Sequence, residues 1–274
     1  MRKFFVAAVF CGVVSAAQAA DLPVLRGSFT DGPILPRTTN WEGFYIGGQG
    51  GYGASDENFN GATRTMMASL LANTSIEAEM GVSQWNLGLG KQSARTSGFG
   101  AFTGYNWQWE DVVLGAEISW LHGSFGGTGT ASQELVSPKP LSDTYFHDVA
   151  AISSASISIS DMATLRGRAG YAFGCFLPYV FGAFALGNAD ITRTVTVVDD
   201  QIPGPASVRP GGVATLSNTE ALHNHLIYGY SAGIGVDVNL VGGLFLRGEY
   251  EYIRYTSIID TNINTVRAGL GYKF

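Results

Sequence analysis

The residues of this sequence whose types invite chemistry are four histidines, two cysteines and a set of charged side chains spaced among apolar ones. His122 stands close to Ser119 and Ser124, a combination that suggests a nucleophile and its base. Alternation along an extended chain sends His122 and Ser119 to opposite faces, however. His147 is followed by Asp148 with no Gly-x-Ser-x-Gly or comparable nucleophile motif around the pair. His223 and His225 would project from one strand face, but two ligands do not close a zinc site. Gly47-Gly48 and Gly50-Gly51 precede no helical stretch, so they are not a dinucleotide fingerprint. They leave space and ease curvature instead. No catalytic residue, cofactor or metal site is expected from these patterns.

The charged residues are more regular. Glu117, Arg166, Arg168, Asp237, Arg247, Glu249, Glu251 and Arg267 all fall on the polar side of two-residue alternations. Glu117 opposes Leu114, Ala116, Ile118 and Trp120. Arg166 and Arg168 oppose Leu165, Ala169 and Tyr171, and Asp237 opposes a long apolar set from Leu226 to Leu240. Arg247, Glu249 and Glu251 oppose Leu244, Leu246, Tyr250 and Tyr252, while Arg267 opposes Val266, Ala268, Leu270, Tyr272 and Phe274. Period two is strand spacing. Four arginines and four carboxylates sharing one enclosed face must pair, because an unpaired buried charge is costly.

The elements that would hold these side chains can be bounded by composition. The 274 residues are 46% hydrophobic and only 14% charged, with 37 glycines and 9 prolines. Beyond the N-terminus there is no apolar run of the ~18 residues a membrane helix needs. A net charge of −6 excludes a basic nucleic-acid binder. Residues 1–19 read as a cleaved signal peptide: Arg2 and Lys3, an apolar stretch from Phe4 to Val14, and the Ala17-Gln18-Ala19 cleavage site. Their removal leaves 14 basic against 22 acidic residues, a net of −8. It also removes Cys11, so Cys175 stands alone and no internal disulfide forms. Residues 20–40 form an extended leader, and 41–274 the folded domain.

Eight strands are expected there, over 41–54, 99–109, 112–120, 163–173, 177–191, 226–240, 244–252 and 265–274. The facing of 41–54 and 177–191 stays open, because the first is glycine-rich and the second is apolar on both sides. Tight hairpins fall at Glu110-Asp111, Gly174-Cys175 and Gly242-Gly243. The other connections, 56–97, 126–156, 194–222 and 256–263, are long and polar, with weak helical spacing only near Thr65 to Met80. A soluble sheet turns its apolar face inward onto a second layer. A charged, glycine-rich set is a poor exterior for such a protein but a good lumen. The pattern predicts an all-β, eight-stranded antiparallel up-and-down transmembrane barrel with four long outer loops and three short periplasmic turns. Closure satisfies the backbone in lipid without leaving a sheet edge. With this facing, Asp at Leu270 is expected to cost more than Asp at Gly269.

Four segments resemble a known family. They are Ala20 to Pro23, the opening Trp41-Glu42-Gly43-Phe44-Tyr45-Ile46-Gly47, the strand Arg166-Gly167-Arg168-Ala169-Gly170-Tyr171, and the ending Arg267-Ala268-Gly269-Leu270-Gly271-Tyr272-Lys273-Phe274. They are similar to the small α-proteobacterial outer-membrane β-barrels of the surface-antigen and porin-family group, with an OmpA-like barrel. The resemblance implies location in the cell outer membrane, and it implies that Val266, Ala268, Leu270, Tyr272 and Phe274 form a C-terminal signal read by the barrel-assembly machinery. Outer-membrane lipids and lipopolysaccharide are the other expected partners. An eight-stranded barrel is only wide enough for its own side chains. The expected function is therefore a structural, surface-exposed barrel plugged by charged pairs, contributing to envelope integrity and surface interactions. A small-solute porin is the alternative.

Overall fold

A computed structural model describes residues 39–274. The expected signal peptide and all but the last two residues of the leader lie outside them. Eight strands follow one another around a closed ring: β1 (Gly43–Asn58), β2 (Lys91–Trp109), β3 (Val112–Val136), β4 (Tyr145–Tyr171), β5 (Phe176–Pro203), β6 (Val213–Val241), β7 (Leu244–Tyr255) and β8 (Asp260–Lys273). Each is antiparallel to the next, and β8 returns to β1 with Gly47 opposite Gly271. The three tight turns fall at Glu110, Gly174 and Gly242, all with positive φ. A left-handed backbone there matches the twist of the flanking strands.

The outer face carries the apolar set over about ten residues per strand, the number a tilted strand needs to cross the hydrocarbon layer. Leu114, Ile118, Leu165, Val180, Phe184, Ile234 and Leu270 are among its exposed residues. The two strands of open facing are now placed. Tyr45, Gln49, Leu177, Tyr179 and Phe181 are buried inside, whereas Phe44, Ile46, Val180 and Phe184 face out.

The outer excursions are built differently from the expected loops. Residues 126–136, 145–156, 194–203 and 213–222, read from sequence as loop, are strand. Four strands thus rise well above the lipid band as one sheet, and their true connections shrink to 137–144 and 204–212. Three bulges fall at one level of that sheet: at Gly123-Ser124 on β3, Ser160 on β4 and His223-Asn224 on β6. There the outer face changes character. On β5, Phe184 and Leu186 give way to Asn188, Asp190 and Thr192, and on β3, Trp120 gives way to His122 and Ser124. We take this level as the outer boundary of the membrane.

Inside, side chains are stacked in layers. An apolar and aromatic cluster of Trp41, Tyr45, Phe102, Leu177, Tyr179 and Phe245 fills the end near the short turns. A polar layer follows. Above it lies a second apolar cluster with Phe59, Leu121, Phe125, Ile159, Ile191 and Tyr255. The long first connection supplies a cap made of α1 (Arg64–Leu70), α2 (Ser75–Met80) and a 3-10 turn at Val82–Gln84. Met66, Met67, Leu71 and Ile76 of the cap pack on Val149, Ala151, Val195 and Val197 of the raised sheet. Thr74 caps α2 by accepting from the Glu77 N–H, and Gly81 ends it in the left-handed conformation.

Candidate functional site

The polar layer contains all eight charged residues singled out from the sequence, each at most 5% exposed. Register begins the assembly. Glu117 lies directly opposite Arg166 across β3–β4, Asp237 opposite Arg247 across β6–β7, and Glu249 opposite Arg267 across β7–β8. Because the lumen is narrow, bonds also run across it. Arg166 donates to Glu117 at 3.1 Å, Glu249 at 3.0 Å and Glu251 at 2.7 Å. Arg247 grips Asp237 with Nε at 2.8 Å and Nη2 at 3.1 Å, and reaches Glu117 at 2.7 Å. Arg168 donates to Asp237 at 2.8 Å. Arg267 bonds to Glu251 rather than to Glu249 on the facing strand.

Two tyrosines complete the layer. Tyr45 Oη donates to Glu117 at 2.8 Å and Tyr179 Oη to Glu249 at 2.6 Å. Aromatic faces take up the remaining guanidinium surface, with Arg247 3.9 Å from the Phe102 centroid and Arg168 4.0 Å from that of Tyr179. Glycine makes this possible at Gly235, where a Cβ would stand 2.5 Å from the Tyr179 ring. With four cations facing four anions, every charge has a partner, and the bonds cross from wall to wall. Such a layer fixes the barrel's cross-section. It offers no free nucleophile and no open ligand position.

The five residues of the expected C-terminal signal form one outward row along β8 and the residue that follows it. Val266, Leu270, Tyr272 and Phe274 are 61%, 50%, 49% and 71% exposed. Phe274 N donates to the Phe44 carbonyl at 2.9 Å, and its ring lies 6.0 Å from that of Phe44 and 5.2 Å from that of Tyr272.

Two histidine clusters were not legible as such. His122 faces outward at the bulge level, bonded through Nδ1 to Asp161 at 2.9 Å, and Trp120 donates to the same carboxylate. His147 is not in a loop, as expected, but on β4 and fully buried, with Nδ1 2.7 Å from Asp199 and Nε2 2.9 Å from Asp143. Asp143 also receives Ser75 from the cap. The available signal was alternation: His147 shares parity with Val149 and Ala151, both inward. The two remaining histidines do not sit as a regular strand pair, since the bulge at His223-Asn224 lies between them. Among the described residues no group of three His, Cys, Asp or Glu is placed to hold a metal.

His147 has a consequence for pH. Burial alone would lower its pKa, but hydrogen bonds and charge from Asp143 and Asp199 outweigh this and raise it above the usual 6.5. Burial likewise opposes ionisation of Asp143, but the His147 hydrogen bond prevails and lowers its pKa. The histidine contribution is complete below its ordinary pKa and lost as pH rises through the raised one. The Asp143 contribution is lost as pH falls through its lowered value. The 137–144 turn is therefore expected to be tightest in mildly acidic solution. Hydrogen-exchange protection of the Ser137 and Leu141 amides, corrected for intrinsic rates, checks this. Both close the turn onto β4, Ser137 donating to the His147 carbonyl and Leu141 to that of Tyr145. Protection should decline toward alkaline pH, and His147→Gln should flatten that decline; a flat wild-type profile would refute it.

Comparison with known proteins agrees with this geometry. The profile of the outer membrane protein beta-barrel domain family matches residues 5–274. A 22 kDa outer membrane protein of Rhizobium leguminosarum bv. viciae is 27% identical over 256 residues, covering 89% of this chain and 82% of that protein. The 31 kDa outer-membrane immunogenic protein of Brucella melitensis biotype 1 is 24% identical over 292 residues, covering 100% of each chain. Among solved structures, Neisserial surface protein A is similar with a TM-score of 0.34 and 11% identity, over 84% of this chain and 97% of that one.

Proposed function

The chain belongs to the outer membrane protein beta-barrel domain family, and we propose that it acts in the outer membrane as a structural, surface-exposed barrel with a closed lumen. On this reading it contributes to envelope integrity, presents the raised sheet and its cap to the exterior, and catalyses no reaction. Outer-membrane lipids and lipopolysaccharide would surround it, and the outward β8 row would be its signal to the assembly machinery. The observation that carries the proposal is the filled interior: a fully paired charge layer lies between two apolar clusters, with a helical cap above.

A small-solute channel would need a continuous wet path through these layers. Planar-bilayer recording of the refolded chain without residues 1–19 separates the two readings. A heat-modifiable gel band shows in parallel that the barrel has formed. The expected result is a folded band with no steady conductance. Stable, reproducible steps from the folded material would overturn the closed-lumen reading and establish a pore.

A further inference from the structure

Above the bulge level, the outer face of the raised sheet is an array of hydroxyls. One row crosses all four strands in register, from Thr130 to Ser154, Thr194 and Thr219. The rows on either side repeat the chemistry in part, with Thr128, Ser156 and Thr192 below, ending at Ala221, and Ser132, Thr196 and Ser217 above, interrupted by the exposed Ile152. Thr194 and Thr219 share a hydrogen bond of 3.1 Å, and Thr196 and Ser217 one of 3.0 Å, which holds the oxygens in fixed positions. The Thr194–Thr219 pair consumes one donor and leaves one O–H and several lone pairs free, whereas Ser217 also donates to the Val195 carbonyl, so the Thr196–Ser217 pair offers acceptors alone. Just above the bulges a depression of about 300 Å³ opens where Gly126 has no side chain, bordered by Ser124, Ser158 and Asp190.

The charges of this face narrow what can lie on it. Among the described residues, no Lys or Arg points outward from the raised parts of β3 to β6, and the charges that do, Glu134, Asp148, Asp190 and Asp200, are acidic and lie at its borders. Phosphate-bearing headgroups and acidic polymers find no cation there and are repelled at the edges. Acyl chains find no apolar band. The aromatic and arginine anchors that carry protein interfaces are missing from the hydroxyl rows. A neutral polyol, which both donates and accepts at each hydroxyl, is the chemistry that fits. Position supplies the source, because the array begins where the lipid-facing band ends, at the height of the sugars borne by outer-leaflet lipids.

We infer that this hydroxyl face docks the neutral saccharide chain of the lipopolysaccharide surrounding the barrel. The inference rests on the outer-membrane reading for its placement but not on the closed lumen, so a conducting barrel would leave it intact. The test titrates the full barrel, refolded in phospholipid vesicles, with the saccharide chain released from the producing bacterium's lipopolysaccharide and, separately, with lipid A. The comparison protein carries Thr130→Val, Thr194→Val and Thr219→Val, which retain β-branching and remove three hydroxyls. Saccharide should bind wild type and bind the triple variant roughly tenfold or more weakly, at one modest hydrogen bond per hydroxyl. Lipid A should not distinguish the two proteins. The inference is overturned by equal saccharide binding to both, by no saccharide binding to wild type, or by lipid A binding that falls with the triple variant. Should the triple variant fail to give the heat-modifiable form, Thr194→Val alone is read against the same criteria, with a loss of about two- to tenfold expected.

Discussion

Replacing Arg247 with leucine is expected to lower the unfolding free energy by about 3–5 kcal/mol, the cost of removing one partner from a buried ion pair. Arg247 is 1% exposed and holds Asp237 through two N–H groups and Glu117 through a third. Leucine would leave four carboxylates facing three guanidinium groups in a space closed off by apolar layers on both sides. Asp237 would keep Arg168, and Glu117 would keep Arg166 and Arg168, so the barrel should still form. The informative partner is Arg247→Leu with Asp237→Leu, which restores the charge balance. Its loss should be clearly smaller than the sum of the two single losses, because residues in one network are coupled. Urea titration of the refolded barrel in vesicles measures both quantities. A single-variant loss below about 1 kcal/mol, typical of an exposed pair, would mean that the layer does not hold the lumen together.

The same layer shows how far the sequence could be read. Alternation with glycine marked the eight charged residues as one face, since only one arrangement keeps them out of lipid. Tyr45 and Tyr179 were less legible. Their strands are glycine-rich or apolar on both faces, so nothing local chose a side; the facing shows only in the assembled barrel, where both rings join the apolar cluster at the turn end and their hydroxyls bond Glu117 and Glu249. The raised strands were missed for a different reason. Below the bulges apolar residues point out to lipid, as Leu165 and Tyr171 do. Above them apolar residues point in, as Val149, Ile157 and Ile159 do. The alternation persists through β4, but its meaning inverts once water replaces lipid, and the extra residue at Ser160 shifts the parity. A reading keyed to apolar-out alternation stops at that inversion and labels the remainder as loop. Short Ser and Thr side chains, common in connections, reinforce the error.

On β8 the outward row yields the second large effect, a loss of about 2–4 kcal/mol for Leu270→Arg if the site lies near the bilayer midplane, falling toward the interfaces. Leu270→Asp should cost less than Arg on the same scale, and Leu270→Ile should cost little. The simpler contrast between Asp at Leu270 and Asp at Gly269 does not isolate facing. A Cβ at Gly269 would stand 2.9 Å from the Gly48 carbonyl and 3.1 Å from the Phe102 ring, so any side chain there also meets a packed wall. Comparing Arg with Ile at Leu270 removes that ambiguity, since both sit in the same lipid-exposed position. Phe274→Ala then separates stability from delivery along the same row. Its ring is 71% exposed at the rim, where it pairs with those of Phe44 and Tyr272, so the urea midpoint of refolded protein should move little. If the row is read during insertion, the amount of chain recovered in the outer membrane should nevertheless fall. Equal recovery with wild type would reduce the row to a lipid contact, whereas lower recovery with an unchanged midpoint is an outcome that lipid contact alone does not produce.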